Sequence, residues 1–154
     1  MAVLATPTKY TLLAAAAEGG TPLNAFDQAL LRAGIGNLNL IRVTSILPPG
    51  TRMVDRLDLA PGTLVPTAYG AITSTEPGQL IAAAVAVALS PEGWGVIMET
   101  SGCSGREEAE AAVTAMAREA LASRGLQVDA LHVRGVEHTV ARVGAVFAGV
   151  ALWY

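Results

Sequence analysis

The segment NLNLIRVTSILPPG, residues 37–50, joins an alternating apolar pattern to a Thr44–Ser45 pair and then stops at two prolines. A serine hydroxyl can attack the carbonyl of the residue before it, which converts the amide into an ester if the oxyanion that forms is hydrogen-bonded. β-Elimination of that ester cuts the chain and leaves dehydroalanine, which hydrolyses to a pyruvoyl group. Such a ketone can form a Schiff base with an amine substrate and accept electrons. Spacing alone, however, favours ordinary turn chemistry for this pair.

Few other groups in the chain are typical of catalysis. Asp27 and Glu99 each lie in an apolar neighbourhood, although composition alone is also consistent with two surface residues. Acidic residues at Glu107, Glu108 and Glu110 suit the positive N-terminus of a predicted helix, and we interpret them as a solvated face. The sequence has no glycine-rich phosphate loop, no nucleophile-elbow serine and no HExxH motif.

The histidines and the single cysteine do not predict a metal site. His132 and His138 are six residues apart, on the same side of a predicted strand, and no cysteine or carboxylate pattern accompanies them. We therefore expect structural or surface roles for both. Cys103 is the only cysteine, so no disulfide or thiolate cluster can form within one chain, and we expect it to be a buried or half-buried small apolar residue.

Composition indicates one domain that associates with copies of itself. A chain of 154 residues can bury one core, but only 15% of its residues are charged, whereas about 25% is usual. So little charge predicts a homo-oligomer. A net charge of −3 without a basic run argues against nucleic-acid binding. The longest apolar run is too short to span a bilayer and the N-terminus does not resemble a secretory signal, so we expect a cytoplasmic protein that is not inserted in a membrane.

Periodicity and turn signals predict two helices among several strands. Strands are expected over residues 9–15 and along the whole of NLNLIRVTSIL, followed by a loop from Pro48 to Gly62. In one continuous strand, Asn39 and Ser45 would point to the same side. The helices are TPLNAFDQALLRAG and a longer one that Ser104 caps and that ends at Gly125.

The remaining segments predict four or more further strands. LVPTAYGAITSTEPG and GWGVIMETSG are expected strands, as are the segments around LQVDALHVRGVEH and GAVFAGVALWY. LIAAAVAVAL is compatible with a helix because of its alanines, but its valine alternation favours a strand. Strands in antiparallel succession with two helices predict a layered α+β sandwich.

Four segments together resemble the pyruvoyl-dependent arginine decarboxylases: GGTPLNAFDQALLRAGIGNLNLIRVTSILPPG, LVPTAYGAITSTEPG, GVIMETSG and VEHTVARVGAVFAGVALWY. The resemblance extends from about Lys9 to Tyr154. It implies that Ser45 becomes the pyruvoyl group and that a single domain, residues 1–154, is cut into a β chain of residues 1–44 and an α chain of residues 45–154. Thr44 stands where the best-known members have serine. The chemistry uses only the carbonyl of that residue, so threonine should not block the cut.

The resemblance also implies roles for residues outside the cleavage site. Asn39 would polarise a carbonyl by hydrogen bonding. Glu99 would protonate the carbon from which carbon dioxide has left, and Asp27 would face the guanidinium of the substrate. The substrate pocket would be lined by Leu30, Gly36 and Leu38.

The implied enzyme converts L-arginine into agmatine and carbon dioxide through a Schiff base, with no metal and no pyridoxal phosphate. Its implied fold is a four-layer αββα sandwich with largely antiparallel sheets, assembled as a trimer or a dimer of trimers with active sites between subunits. Three alternatives remain open. The substrate could be another amino acid, the chain could be an unprocessed, non-catalytic trimeric binding protein, or it could be an α+β domain of unrelated function.

Overall fold

The computed structural model describes residues 4–154, and these form an α+β fold of nine strands and two helices. The α+β class and the mainly antiparallel sheets that the sequence predicts are confirmed. In chain order the elements are β1 (Lys9–Glu18), α1 (Pro22–Arg32), β2 (Asn39–Arg42), β3 (Ile46–Leu47), β4 (Arg52–Met53), β5 (Leu64–Ser74), β6 (Leu80–Leu89), β7 (Gly95–Gly102), α2 (Arg106–Ala122), β8 (Ala130–Thr139) and β9 (Gly144–Trp153).

The strands form two sheets. In the first, with strand order β2-β5-β9-β1-β4, the three long strands are antiparallel and the short edge strands β2 and β4 are parallel to their neighbours. The second sheet, with order β3-β7-β6-β8, is antiparallel throughout. The alanine-rich segment of uncertain type is β6, a strand with partners on both sides. Its residues from Ile81 to Ala88 are fully buried, which explains their continuous apolar character.

Three apolar clusters hold the elements together. One contains residues from both sheets, among them Leu47, Val85, Ile97, Val146 and Val150. A second packs α1 against the first sheet, and a third packs α2 against the second sheet. Each helix therefore covers one sheet, as its single apolar face requires.

The ends of α1 follow the sequence prediction. Thr21 is the N-cap and its Oγ1 accepts a hydrogen bond from the Asn24 backbone N–H at 3.1 Å, while Pro22 occupies the first turn. Gly34, just beyond the helix, has a φ of +85°, a backbone conformation that glycine adopts without a steric penalty.

The predicted cap of α2 is wrong. The N-cap is Gly105 rather than Ser104, and a glycine has no side chain that could accept a hydrogen bond from the first turn of the helix. Instead Glu137 Oε2, from β8, accepts a hydrogen bond from the Arg106 backbone N–H at 2.7 Å. A distant carboxylate thus takes the position that a local side chain usually occupies at the positive end of a helix. Within residues 4–154, neither helix is long and apolar enough to cross a membrane.

The predicted continuous strand over residues 37–47 is also wrong. Strand β2 ends at Arg42, and the Val43 N–H still donates to the Thr67 carbonyl of the first sheet at 3.2 Å. The Ser45 carbonyl, in contrast, accepts from Ile97 N–H of the second sheet at 2.7 Å. The chain changes sheets at Thr44. Asn39 and Ser45 therefore do not share a strand, and the prediction that they share a strand face fails with it.

Candidate active site

The Thr44–Ser45 peptide bond lies where the chain crosses between the sheets. Hydrogen bonds at Val43 and at Ser45 anchor the backbone on both sides of the bond. After β3 the chain turns at the two prolines, where the Thr51 hydroxyl donates to the Pro48 carbonyl at 2.8 Å and Gly50 has a φ of +78°. Backbone hydrogen bonds therefore anchor the chain on both sides of the Thr44–Ser45 bond.

A pocket of about 480 Å³ opens beside this bond. The walls come from the β2–β3 crossing, from β7 and from α2, and the lining residues are Arg42, Val43, Thr44, Ser45, Ile97, Met98, Glu99 and Met116. Its volume is in the range that binds small molecules. Apart from the hydroxyls of Thr44 and Ser45, the lining side chains are apolar except for one cation, Arg42, and one acid, Glu99.

Glu99 has the most unusual environment in the pocket. It follows Ile97 by two residues on β7, so its side chain points to the same side of the strand as Ile97, toward the space between the sheets. Glu99 Oε2 is buried and has no hydrogen-bond partner among residues 4–154. Burial raises the pKa of Glu99 above its ordinary value, and the positive charge of Arg42 opposes part of that rise. A carboxyl group with a raised pKa at the edge of a pocket is suited to general acid catalysis.

Arg42 is a pocket residue that the sequence analysis missed. Its guanidinium donates from Nη2 to the Tyr69 carbonyl and stacks over the Tyr69 ring, 4.3 Å from the ring centroid. The signal that could have revealed it is the lone charge in an otherwise uncharged segment, three residues before Ser45.

The other predicted site residues lie elsewhere in the chain. Asp27 is on the exposed face of α1, whereas Leu30 is buried under the same helix. Gly36 and Leu38 line a second cavity of about 230 Å³ between the end of α1 and residues 57–59. A Cβ on Gly36 would meet the Leu31 side chain at 2.6 Å, so a larger residue does not fit there.

Asn39 belongs to the same part of the molecule as this second cavity. Its Nδ2 donates to the Gly62 carbonyl at 3.1 Å, which ties β2 to the turn before β5. One chain therefore brings Thr44, Ser45 and Glu99 together in a pocket, but the lining of that pocket does not include Asn39 or the four predicted substrate-binding residues, which are Asp27, Leu30, Gly36 and Leu38.

The histidines occur where the sequence predicts, in β8. His138 Nε2 is 2.6 Å from Glu18 Oε2, a contact that joins the two sheets. Among residues 4–154, no group of three or more histidine, cysteine or acidic side chains could hold a metal ion. The predicted burial of Cys103 is wrong, because the residue lies just beyond the end of β7 and is exposed there. Of the acids on α2, Glu107 and Glu108 are exposed as expected, whereas Glu110 is half-buried.

Comparison with known proteins matches this chain to one family. Residues 9–151 match the family model described as pyruvoyl-dependent arginine decarboxylase. The chain belongs to this family. A relative of that name from Methanocaldococcus jannaschii is 49% identical over 150 residues, which cover 96% of this chain and 91% of the relative. Another from Pyrococcus abyssi is 47% identical over 139 residues, which cover 88% of this chain and 87% of the relative.

The resemblance inferred from the sequence is thereby confirmed. Members of a pyruvoyl-dependent family carry a pyruvoyl prosthetic group rather than pyridoxal phosphate. The residues of this chain fit such a group at position 45. Ser45 borders a pocket of suitable size, its backbone is anchored, and the pocket wall presents a buried carboxyl oxygen without a partner.

Proposed function

We propose that this protein cuts itself at Thr44–Ser45 and converts L-arginine into agmatine and carbon dioxide in the pocket between Ser45 and Glu99. Family membership supports the reaction, as do relatives named pyruvoyl-dependent arginine decarboxylase. The observation that carries the proposal in this chain is the buried, unpartnered Glu99 Oε2 in the pocket that Ser45 lines.

In the self-processing step, Ser45 Oγ attacks the Thr44 carbonyl and the resulting ester eliminates, giving a β chain of residues 1–44 and an α chain of residues 45–154. The anchored backbone on either side of the bond supports this step, since it limits the motion of the chain that carries both reacting groups. When present, the pyruvoyl group supplies a ketone that condenses with the substrate amine and withdraws electrons from its α-carbon. Thr44 keeps the carbonyl that the cut requires.

Glu99 acts after carbon dioxide has left. Its protonated carboxyl group gives a proton to the substrate's α-carbon. The apolar surroundings favour the protonated form of Glu99 before the transfer, because burial raises its pKa. Ile97, Met98 and Met116 make the surroundings of this carboxyl group apolar, which disfavours its ionised form.

The arginine side chain requires a second acid. Among residues 4–154, Glu99 is the only acid that lines the pocket. Because it is committed to proton transfer, another carboxylate must face the guanidinium. We assign that contact to Asp27 of a second copy of the chain, whose exposed position on α1 leaves it accessible. Gly36 and Leu38 would line the same half of the site, Leu30 would support it from beneath the helix, and Asn39 would polarise a carbonyl there.

We propose a four-layer architecture for the chain and an oligomeric assembly for the enzyme. Each helix covers a different sheet and the sheets share an apolar cluster, which supports a four-layer αββα sandwich. Sites completed by a neighbouring copy require an oligomer, which we propose is a trimer or a dimer of trimers. The low charge of the chain supports burial of surface between copies.

Release of carbon dioxide from a panel of amino acids tests this function. The wild-type protein should release carbon dioxide from L-arginine faster than from lysine, ornithine or leucine, with agmatine as the product. Ser45→Ala should release none, whereas Thr44→Ser should retain activity because it keeps the carbonyl and the nucleophile. Faster release of carbon dioxide from another amino acid would show that this amino acid, and not arginine, is the substrate. Inactivity of an uncut wild-type protein would favour the non-catalytic binding protein.

A further inference from the structure

Arg42 is placed to act on Glu99 without touching it. Both residues line the Ser45 pocket, and in the part of the chain that the structure describes they are its only charged groups. The structure records no ion pair of 4.0 Å or less between them within residues 4–154, and Glu99 Oε2 has no hydrogen-bond partner. The cation is therefore near enough to lower the pKa of Glu99 but does not bond its carboxyl group.

Tyr69 accounts for this separation. It binds Arg42 twice, through its carbonyl oxygen and through the face of its ring. The Tyr69 ring is itself packed against Phe147 and Phe26, with centroids 5.4 and 6.4 Å away. The guanidinium is thus held against a cluster of aromatic rings, although Arg42 as a whole is exposed to solvent.

The other elements around Glu99 contribute no charge to this pocket. On β6 the residue paired with Glu99 is Val85, and on α2 the residue that lines the pocket is Met116. The β2–β3 crossing supplies Arg42 as its only charged side chain there. Arg134 of β8 lies in the same row across the sheet, because it pairs with Val85, but it donates to the Leu12 carbonyl and does not line the pocket. Within the described part of the chain, Arg42 is therefore the one cation that lines the pocket with Glu99.

A proton donor at this position has two opposing requirements. A direct bond to a guanidinium would keep Glu99 ionised, with no proton to give. Burial without any cation would make the carboxylate that remains after transfer very costly. A cation that lines the same pocket without bonding the carboxyl group meets both requirements, because it favours the carboxylate only modestly.

We propose that Arg42 is a positioning residue for the proton transfer: Tyr69 holds it beside Glu99, where its charge stabilises the carboxylate that forms when Glu99 gives up its proton. In that step the O–H bond of Glu99 breaks, a C–H bond forms at the substrate's α-carbon, and negative charge appears on Glu99. The transfer rests on the proposed function. The effect of Arg42 on the pKa of Glu99 does not rest on it, because this effect can be measured in the Ser45→Ala protein, which cannot make a pyruvoyl group.

The test is a carboxyl ¹³C NMR titration of Glu99 in the Ser45→Ala protein, with the resonance assigned by its loss in Glu99→Gln. Arg42→Gln should raise the pKa of Glu99 above its value in the Ser45→Ala protein, because it removes the positive charge that lowers it. Arg42→Lys should retain most of the wild-type value because it keeps a positive charge. The matched control is Arg134→Gln, since Arg134 also donates to a backbone carbonyl, that of Leu12 at 2.9 Å, but does not line the pocket.

A second readout uses the protein with Ser45 intact. Arg42→Gln should lower kcat and move the loss of activity at high pH to a higher pH, while processing and KM change little. An unchanged pKa of Glu99 in Arg42→Gln, or a fall in kcat without a shift of the pH profile, would overturn the proposal. A shifted pKa in a protein that decarboxylates no amino acid would instead overturn the proposed function, and the proton-transfer role with it.

Discussion

Glu18 and Glu99 are two partly buried glutamates on long strands, and their pKa values are shifted in opposite directions. Glu18 closes β1 and accepts hydrogen bonds from the Arg142 and Val143 N–H groups at 2.7 and 3.2 Å, with His138 2.6 Å away. Although burial acts to raise it, these bonds hold the pKa of Glu18 below its ordinary value. Glu99 Oε2 has no hydrogen-bond partner, and burial raises the pKa of Glu99.

The comparison shows that hydrogen-bond donors near the carboxyl group, and not burial alone, determine whether the pKa of a glutamate is lowered or raised. A carboxylate with several donors is fixed in its ionised form and joins two sheets. A carboxyl group deprived of donors favours its protonated form and remains available for chemistry. The first of these glutamates stabilises the structure, whereas the second is held in an unfavourable environment that catalysis can use.

The largest expected effect separates the two glutamates by activity. Glu99→Gln should lower the rate of arginine decarboxylation by at least about 100-fold, because the amide cannot donate the proton in place of the carboxyl group. Glu18→Gln is the matched control and should change the rate only a few-fold. Steady-state assays of carbon dioxide release measure both, with self-cleavage checked separately on a denaturing gel. Similar losses in the two variants would remove Glu99 from the proton-transfer step.

The same pair of variants should change stability in opposite directions. The folded protein raises the pKa of Glu99, so the stability that this group contributes is fully present below its unfolded value and declines as the pH rises through the folded value. Glu99→Gln should therefore raise the Tm at neutral pH by about 2–4 °C, the shift that about 1 kcal/mol produces in a chain of this size. Thermal melts from pH 4 to 8 measure it. A Tm that falls equally at every pH would contradict the assignment.

The pH dependence of Glu18 should have the reverse sign. Its folded pKa is lowered, so its stabilisation is present above the unfolded value and is lost as the pH falls through the folded value. Glu18→Gln should lower stability at neutral pH by about 1 kcal/mol, at the low end for bonds to a charged group because solvent screens the side chain. In melts at decreasing pH, the difference from wild type should disappear. A difference that persists in acid would contradict this account.

Removal of His138 should have the smallest effect. His138→Gln leaves Glu18 with its two backbone donors, and the imidazole and carboxylate are both partly exposed, with side-chain exposures of 24% and 32%. The expected loss is below about 1 kcal/mol at neutral pH. Chemical denaturation measures this loss, and a loss larger than that of Glu18→Gln would show that His138 has a further structural role.

Local sequence signals predicted the parts of this fold that local interactions determine. Helix α1 begins at Pro22 and ends before Gly34, as predicted. The alternation of valines in β6 correctly favoured a strand. The break at Thr44 carries no turn residue, because it results from the pairing of Val43 with one sheet and Ser45 with the other. The cap of α2 comes from Glu137, 31 residues from Arg106. Tertiary pairing, rather than propensity, decided both.

The candidate site divides in the same way. Resemblance predicted Ser45 and Glu99 as site residues, and the structure brings both to one pocket, while their roles stay predictions. The pattern of residues could not reveal that Glu99 lacks a hydrogen-bond partner or that Tyr69 holds Arg42 away from it, because both facts depend on contacts between different strands. Nor could it reveal that Asp27 and Ser45 lie in different parts of one chain.

The central claim is that Ser45 converts its own backbone into the reactive group, and intact-mass spectrometry of the purified, denatured protein tests it most directly. The account predicts two chains, residues 1–44 and 45–154, the second with a blocked N-terminus whose mass rises by about two hydrogen atoms on borohydride reduction of its ketone. A single uncut chain after prolonged incubation, with the mass of all 154 residues, would contradict it.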